Sequence, residues 1–238
     1  MIQRKFVSIF LILLGSAVAC RSSEPNSQVF IPEEVKNLVG EAEKAFGKGD
    51  LGASESLYKK ALEFSPDNGS ILVSLAAVKT RRGKLDDSDA LLRQALRLDL
   101  KNGSAWLLLG MNSLQQKRDD EAFASLAEAV LCNDRNPRAH NYLGIAAGRK
   151  AWKEVSEQEL RRAIELDPDY ADANFNLAVL YLGRTPPLIE LAHRHYQQAL
   201  DLGSPRDPII EAQLSNANAI ATPSPSTSPS SALPSLQP

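Results

Sequence analysis

Apolar residues recur through the middle of the chain at three- and four-residue intervals, the spacing that gathers them on one face of a helix. The helical stretches themselves recur. Aligning Pro66 with Pro168 brings the intervening sequence into register at a period of 34 residues, with three periods between the two prolines. Four units follow without a gap, at residues 35–68, 69–102, 103–136 and 137–170, and a fifth, 171–206, is stretched by two residues around Thr185-Pro186-Pro187. In the third unit Trp106, Leu109 and Ser113 form a stripe, while Gly110, Ala122 and Ala129 are small enough to let two helix axes approach to the short end of the usual range of about 8–10 Å. One such unit cannot bury its own stripe, so the pattern predicts a stack of helical hairpins with one continuous core.

The same reading extends past the last unit. Its second helix is expected over 188–202, ended by Gly203-Ser204-Pro205. Asp207 and Pro208 suit the cap and first turn of one more helix, expected within 207–220, which would cover the stripe left open by the fifth unit. Residues 221–238 are rich in Pro and Ser, have no means of building a core, and are expected to be disordered.

Residues at fixed places within the units resemble the tetratricopeptide repeat, whose pattern runs W-x2-L-G-x2-Y, then A-x3-F, then A and P. Trp106, Leu109, Gly110, Ala122, Leu126 and Ala129 match it most fully. Leu143, Gly144, Ala163 and Pro168 carry it in the fourth unit, and Leu177, Ala178, Tyr181, Ala192, Tyr196 and Ala199 in the fifth. The first two units are looser, with Leu38, Ala42, Tyr58, Ala61 and Pro66, then Leu72, Leu75, Ala76, Leu92 and Ala95. Glu41, Ser54, Ser88, Ser156, Leu100 and Asp134 depart from the pattern.

The resemblance implies an all-α, right-handed superhelical solenoid that binds other proteins, with the first helix of each unit lining a concave groove. Carried over position by position, it implies Val39, Val73, Leu107, Asn141 and Phe175 along the middle of that face, with Glu43, Ala77, Met111, Ile145 and Val179 beside them. Leu114, Arg81, Arg149, Asn176 and Leu182 are the neighbouring candidates. This surface is mostly apolar, and its two arginines and two asparagines could hold a peptide backbone or a carboxylate. The family's carboxylate-clamp subtype is disfavoured, because Val39, Val73 and Leu107 stand where it needs Lys, Asn or Arg.

The amino terminus changes where such a scaffold would act. Arg4 and Lys5 precede an apolar run from Phe6 to Leu14, and small residues follow, so residues 1–19 read as a secretory signal peptide. The run is far short of the roughly 20 residues that span a bilayer. Ala17-Val18-Ala19-Cys20 resembles a bacterial lipobox, which would make Cys20 the site of lipid attachment; ordinary cleavage after Ala19 with simple secretion stays open. Residues 20–34 then form the anchor and tether, and Arg21 after the cysteine points to the outer membrane, on its periplasmic face, by the sorting rule of bacterial lipoproteins.

Charge and composition mainly exclude. A formal net charge of -2 leaves no basic excess for a phosphate backbone, so nucleic acid is not expected as a partner. Two cysteines and three histidines offer little for a metal or a disulfide framework. Cys132 falls where a small buried hydrophobe packs, His193 and His195 point to different sides of one helix, and His140 takes the place of Trp106. The Asn68-Gly69-Ser70 and Asn102-Gly103-Ser104 sequons share one phase and suit the turns between units. Asp86, Asp87, Asp89 and Asp119 to Glu121 suit helix starts, by dipole and capping. No catalytic, cofactor or metal residue is expected. The sequence therefore reads as a non-enzymatic envelope scaffold that takes a peptide or helix of another envelope protein in its groove. A type IV pilus or secretin assembly lipoprotein, or an adaptor for a peptidoglycan-modifying enzyme, are the alternatives.

Overall fold

A computed structural model describes residues 32–221, with side chains described as far as residue 216. Eleven α-helices lie among the described residues: α1 Glu33–Gly47, α2 Leu51–Phe64, α3 Gly69–Arg81, α4 Leu85–Leu98, α5 Gly103–Gln115, α6 Asp119–Cys132, α7 Pro137–Arg149, α8 Lys153–Leu166, α9 Ala171–Leu182, α10 Ile189–Asp201 and α11 Pro208–Ala221. They form five hairpins and a final helix, and α3, α5, α7 and α9 begin on the first residues of the units read from the period. The signal peptide, Cys20, most of the tether and residues 222–238 of the tail lie outside the described residues. Two ends need correcting. Glu33 and Glu34, assigned to the tether, are the acidic first turn of α1, and Ala221, assigned to the tail, closes α11.

The starts of the first helices have a repeated cause. Asn68, Asn102 and Asn136 accept backbone N–H bonds from Ile71, Ala105 and Ala139, three residues on in each case. These asparagines satisfy amides that a helix start leaves without partners, which is a more specific role than the turn expected for Asn68 and Asn102. Asp207 does the same for α11, accepting from Ile209 and Ile210 at 2.8 and 3.1 Å.

Within a hairpin the helices approach closely because the crossing residues are small. A Cβ on Gly110 would stand 2.5 Å from Leu126 Cγ, and one on Gly144 2.7 Å from Leu160 Cγ, and both leucines are buried. Successive first helices also touch, α3 with α5, α5 with α7 and α7 with α9, whereas the second helices show no comparable contact among the described residues. The first helices therefore line the inner curve. The core runs along the array and finishes at α11, where Ile210 and Leu214 close over Tyr181 and Tyr196.

Across the junctions the second helix of one unit is fastened to the turn of the next. Glu55 bonds Arg82 and Lys79, Asp89 bonds Arg118 and the buried Asn112, and Glu157 bonds Arg184. Hydrogen bonding from Lys59, against the opposing cost of burial and with help from Lys79, holds the Glu55 carboxyl down to about 2. Asp86, Asp87, Asp119, Asp120 and Glu121 sit in first turns, as the dipole reading expects, whereas Asp89, read with them, is buried further along α4, and the residues before those helices make no side-chain cap. Asp87, Asp119 and Asp120 instead pair with Lys79, Arg149 and Lys150.

Candidate protein-binding face

The inner curve makes different use of the fifteen positions implied for it. Val73, Met111, Ile145, Phe175, Asn176 and Leu182 are half-buried, and Arg81, Arg149 and Val179 are exposed. Leu107, Leu114 and Asn141 are corrections: they are 8%, 6% and 2% exposed, and so are not open to a ligand. The contact between successive first helices covers them. Leu107 and Leu114 pack in one cluster with Leu126 and Leu143. Asn141 accepts from Asn176 Nδ2 at 2.9 Å and donates to the Tyr170 hydroxyl at 3.3 Å. Burial pushes that hydroxyl up to about 12, so it stays protonated.

Both arginines have internal partners in the same relative place. Arg81 donates to the Phe46 carbonyl at 3.4 Å and lies 4.6 Å above the Phe46 ring. Arg149 donates to the Leu114 carbonyl at 2.6 Å and to Asp119 at 3.3 Å. Phe46 and Leu114 lie in the last turns of the first helices of preceding units, and their carbonyls also accept the backbone N–H of Gly49 and Lys117 at 3.0 and 3.1 Å, so each arginine adds a second donor to a helix end. The arginines thus complete helix ends, a role that their position in the pattern did not reveal.

What stays open is an apolar strip at the carboxyl-terminal half of the curve. A cavity of about 320 Å³ lies between α7, α8 and α9, lined by Ile145, Leu160, Val179, Leu180 and the helix glycines Gly144 and Gly148. A second, of about 370 Å³, lies between α9 and α11, lined by Phe175, Leu182, Ile209 and Ile210. The two share Val179 and Gly183, so the strip is continuous. Val179 and Ile209 are 47% and 68% exposed; single exposed aliphatic side chains also occur elsewhere, as at Leu131 and Leu100, but these two line one cavity together with Phe175, Leu182 and Ile210 and so form a contiguous apolar patch. Sequence reasoning found Ile145, Phe175, Val179 and Leu182 and missed Ile209, because it treated α11 only as a lid on the core.

The candidate chemistry elsewhere resolves into packing. Cys132 is half-buried, not fully so, with Sγ 3.9 Å from the Leu100 carbonyl, and burial pushes its thiol up, away from the reactive thiolate. His140 is buried between Glu159, 2.6 Å from Nδ1, and the Asp134 carbonyl, 2.9 Å from Nε2. His195 is half-buried, 2.9 Å from Asn174 Oδ1, and burial pushes its pKa down, while His193 is exposed. Among the described residues no group of three His, Cys, Asp or Glu could hold a metal, and no helix is long and apolar enough to cross a membrane.

Two tetratricopeptide-repeat family models match, one over residues 74–140 and one over 159–202. Those residues carry tetratricopeptide repeats. The fold of the chain is shared with solved structures of that kind. Pseudomonas aeruginosa pilF matches at a TM-score of 0.70 and 18% identity, over 79% of this chain and 85% of that one. A thermophilic TPR protein of Thermus thermophilus matches at 0.61 and 19%, over 78% and 99%. YrrB, described as a TPR protein with an unusual peptide-binding site, matches at 0.58 and 20%, over 76% and 90%. No curated protein matches the sequence significantly.

Proposed function

We propose that this protein is a non-enzymatic scaffold of the bacterial envelope, tethered by lipid on Cys20, which holds a segment of another envelope protein against its concave face. The observation that carries the reading is the continuous apolar strip through Ile145, Val179, Phe175 and Ile209, two of whose side chains are left in water. Apolar concavities of this kind suit helix-in-groove or peptide recognition, and the peptide-binding site named for YrrB lies on a chain of similar fold. The envelope setting rests on the signal-like first nineteen residues and the cysteine that follows them. Assembly of a type IV pilus or secretin, and recruitment of a peptidoglycan-modifying enzyme, are narrower forms of the same activity.

The test is site-specific photo-crosslinking in intact cells. A crosslinker at Val179 is expected to capture a discrete envelope protein, and one at Leu131, 78% exposed on α6, is not. Equal capture at both positions, or none at Val179, would overturn the binding face. Intact mass of the membrane-purified protein against a Cys20→Ala variant tests the tether: acyl mass on a chain beginning at Cys20, lost in the variant, is expected.

A further inference from the structure

Gly148 is the penultimate residue of α7, and its counterparts in the other units are Phe46, Thr80, Leu114 and Leu182. Each of those fills space. Leu114 is buried in the core, and Thr80 bonds Ser88 and Asn112, both at 2.9 Å. Only the fourth unit has no side chain there, and the cavity of about 320 Å³ opens at that point. Crowding at Gly148 is milder than at the other two glycines of these crossings. A Cβ there would press on the hydroxyl of the buried Ser156 at 3.2 Å, a tight contact with the end of one small side chain, whereas leucine carbons block Gly110 and Gly144 at 2.5 and 2.7 Å. Glycine within a helix is destabilising unless something needs the space. Lysine supplies the unbalanced charge of the rim. Lys153 lines it and bonds the Gly183 carbonyl at 2.6 Å without an acidic partner among the described residues, while Arg149 lines it already paired with Asp119, and no carboxylate is in the lining.

We propose that this cavity is a socket for one leucine-sized aliphatic anchor carried by an acidic segment of the bound partner. The anchor takes the place that Leu114 fills one unit earlier, and a neighbouring carboxylate meets Lys153 and Arg149. The proposal rests on the concave face being the binding surface, and it specifies what that surface selects.

The probe is the peptide acetyl-Asp-Ala-Leu-Ala-Asp-amide, titrated into the ¹⁵N-labelled protein and followed by amide shifts. Saturable shifts at Gly144, Gly148 and Gly183 are expected. Replacing the leucine of the probe by alanine should weaken binding about tenfold or more, and replacing its aspartates by lysines should abolish it. Gly148→Leu fills the socket from within and should abolish the shifts, and Lys153→Gln should weaken them several-fold. Gly148→Thr, which reproduces the Thr80–Ser88 arrangement against Ser156, serves if the leucine variant does not fold, and it should weaken binding. Absence of binding, indifference to the leucine, or unchanged binding to the Gly148 variants would overturn the socket. Crosslinking at Val179 separates the two levels: if it persists while the socket fails, the groove stands, and if it is lost the groove reading itself fails.

Discussion

At the residue scale, the turns between paired helices repeat one left-handed backbone conformation with residues that tolerate it unequally. Gly49 and Gly83 occupy it at φ 81° and 73°, and Lys117 and Ala151 occupy the same phase at 59° and 60°. A Cβ in this region costs roughly 1–2 kcal/mol, whereas glycine gives part of that back through its more flexible unfolded chain. Ala151→Gly is therefore expected to stabilise the protein by about 0.5–1 kcal/mol. Gly110→Ala has the opposite sign. It improves helix propensity by nearly 1 kcal/mol, but its methyl would lie 2.5 Å from a leucine that is 0% exposed, so the net loss should be about 1–3 kcal/mol. Urea unfolding of the two variants should move the midpoint in opposite directions. A shift of the same sign in both would refute the steric account of these positions.

At the scale of elements, one junction position shows how different chemistries serve a single geometry. Asp89 on α4 meets Arg118 in the turn before α6, and one period later Phe123 on α6 meets Trp152 in the turn before α8. The ion pair has become an edge-to-face aromatic pair with ring centres 4.8 Å apart, with Lys150 4.6 Å above the indole. Replacing the pair as Phe123→Asp with Trp152→Arg should restore much of the stability that either single change removes. A double-mutant cycle by thermal unfolding should then give a coupling of at least about 0.5 kcal/mol; additive losses would mean that the two sites do not act as a staple. The hairpins were readable in the sequence, because the 34-residue period between Pro66 and Pro168 sets the units and small residues such as Gly110 mark the close crossings; the asparagine caps were not, since only a turn was expected of Asn68 and Asn102. The staples were not, since neither partner's type is constant from unit to unit and the pairing links residues nearly a whole period apart. The burial of Leu107, Leu114 and Asn141 was hidden for a related reason. A face assignment places a residue on the inner side of a helix but does not say how closely the next helix lies against it.

For the whole molecule, the array has an end that matters more than its middle. Each unit touches mainly its neighbours, so stability is close to a sum of unit and junction terms. The final helix α11 supplies one such term, through Ile210 and Leu214, each 5% exposed, and through the Asp207 amide that donates to the Tyr196 hydroxyl at 2.7 Å. Ending the chain before Asp207 would uncover Tyr196, Tyr181 and Leu177 together. Burial of two large aliphatic side chains is worth about 3–6 kcal/mol, a large share of what holds a single hairpin in place. Hydrogen exchange followed by mass spectrometry should therefore show α9 and α10 losing protection in the truncated protein while α1 to α4 keep theirs. Uniform loss along the chain would mean that the solenoid folds as one cooperative block and that local summation is wrong. The same truncation removes Ile209 from the apolar strip, so end-capping and ligand surface are coupled in one helix. If the strip binds a partner, occupancy should in turn protect α9 and α10 in the intact protein, because a ligand seated on Val179 and Ile209 stabilises only the state in which α11 is docked.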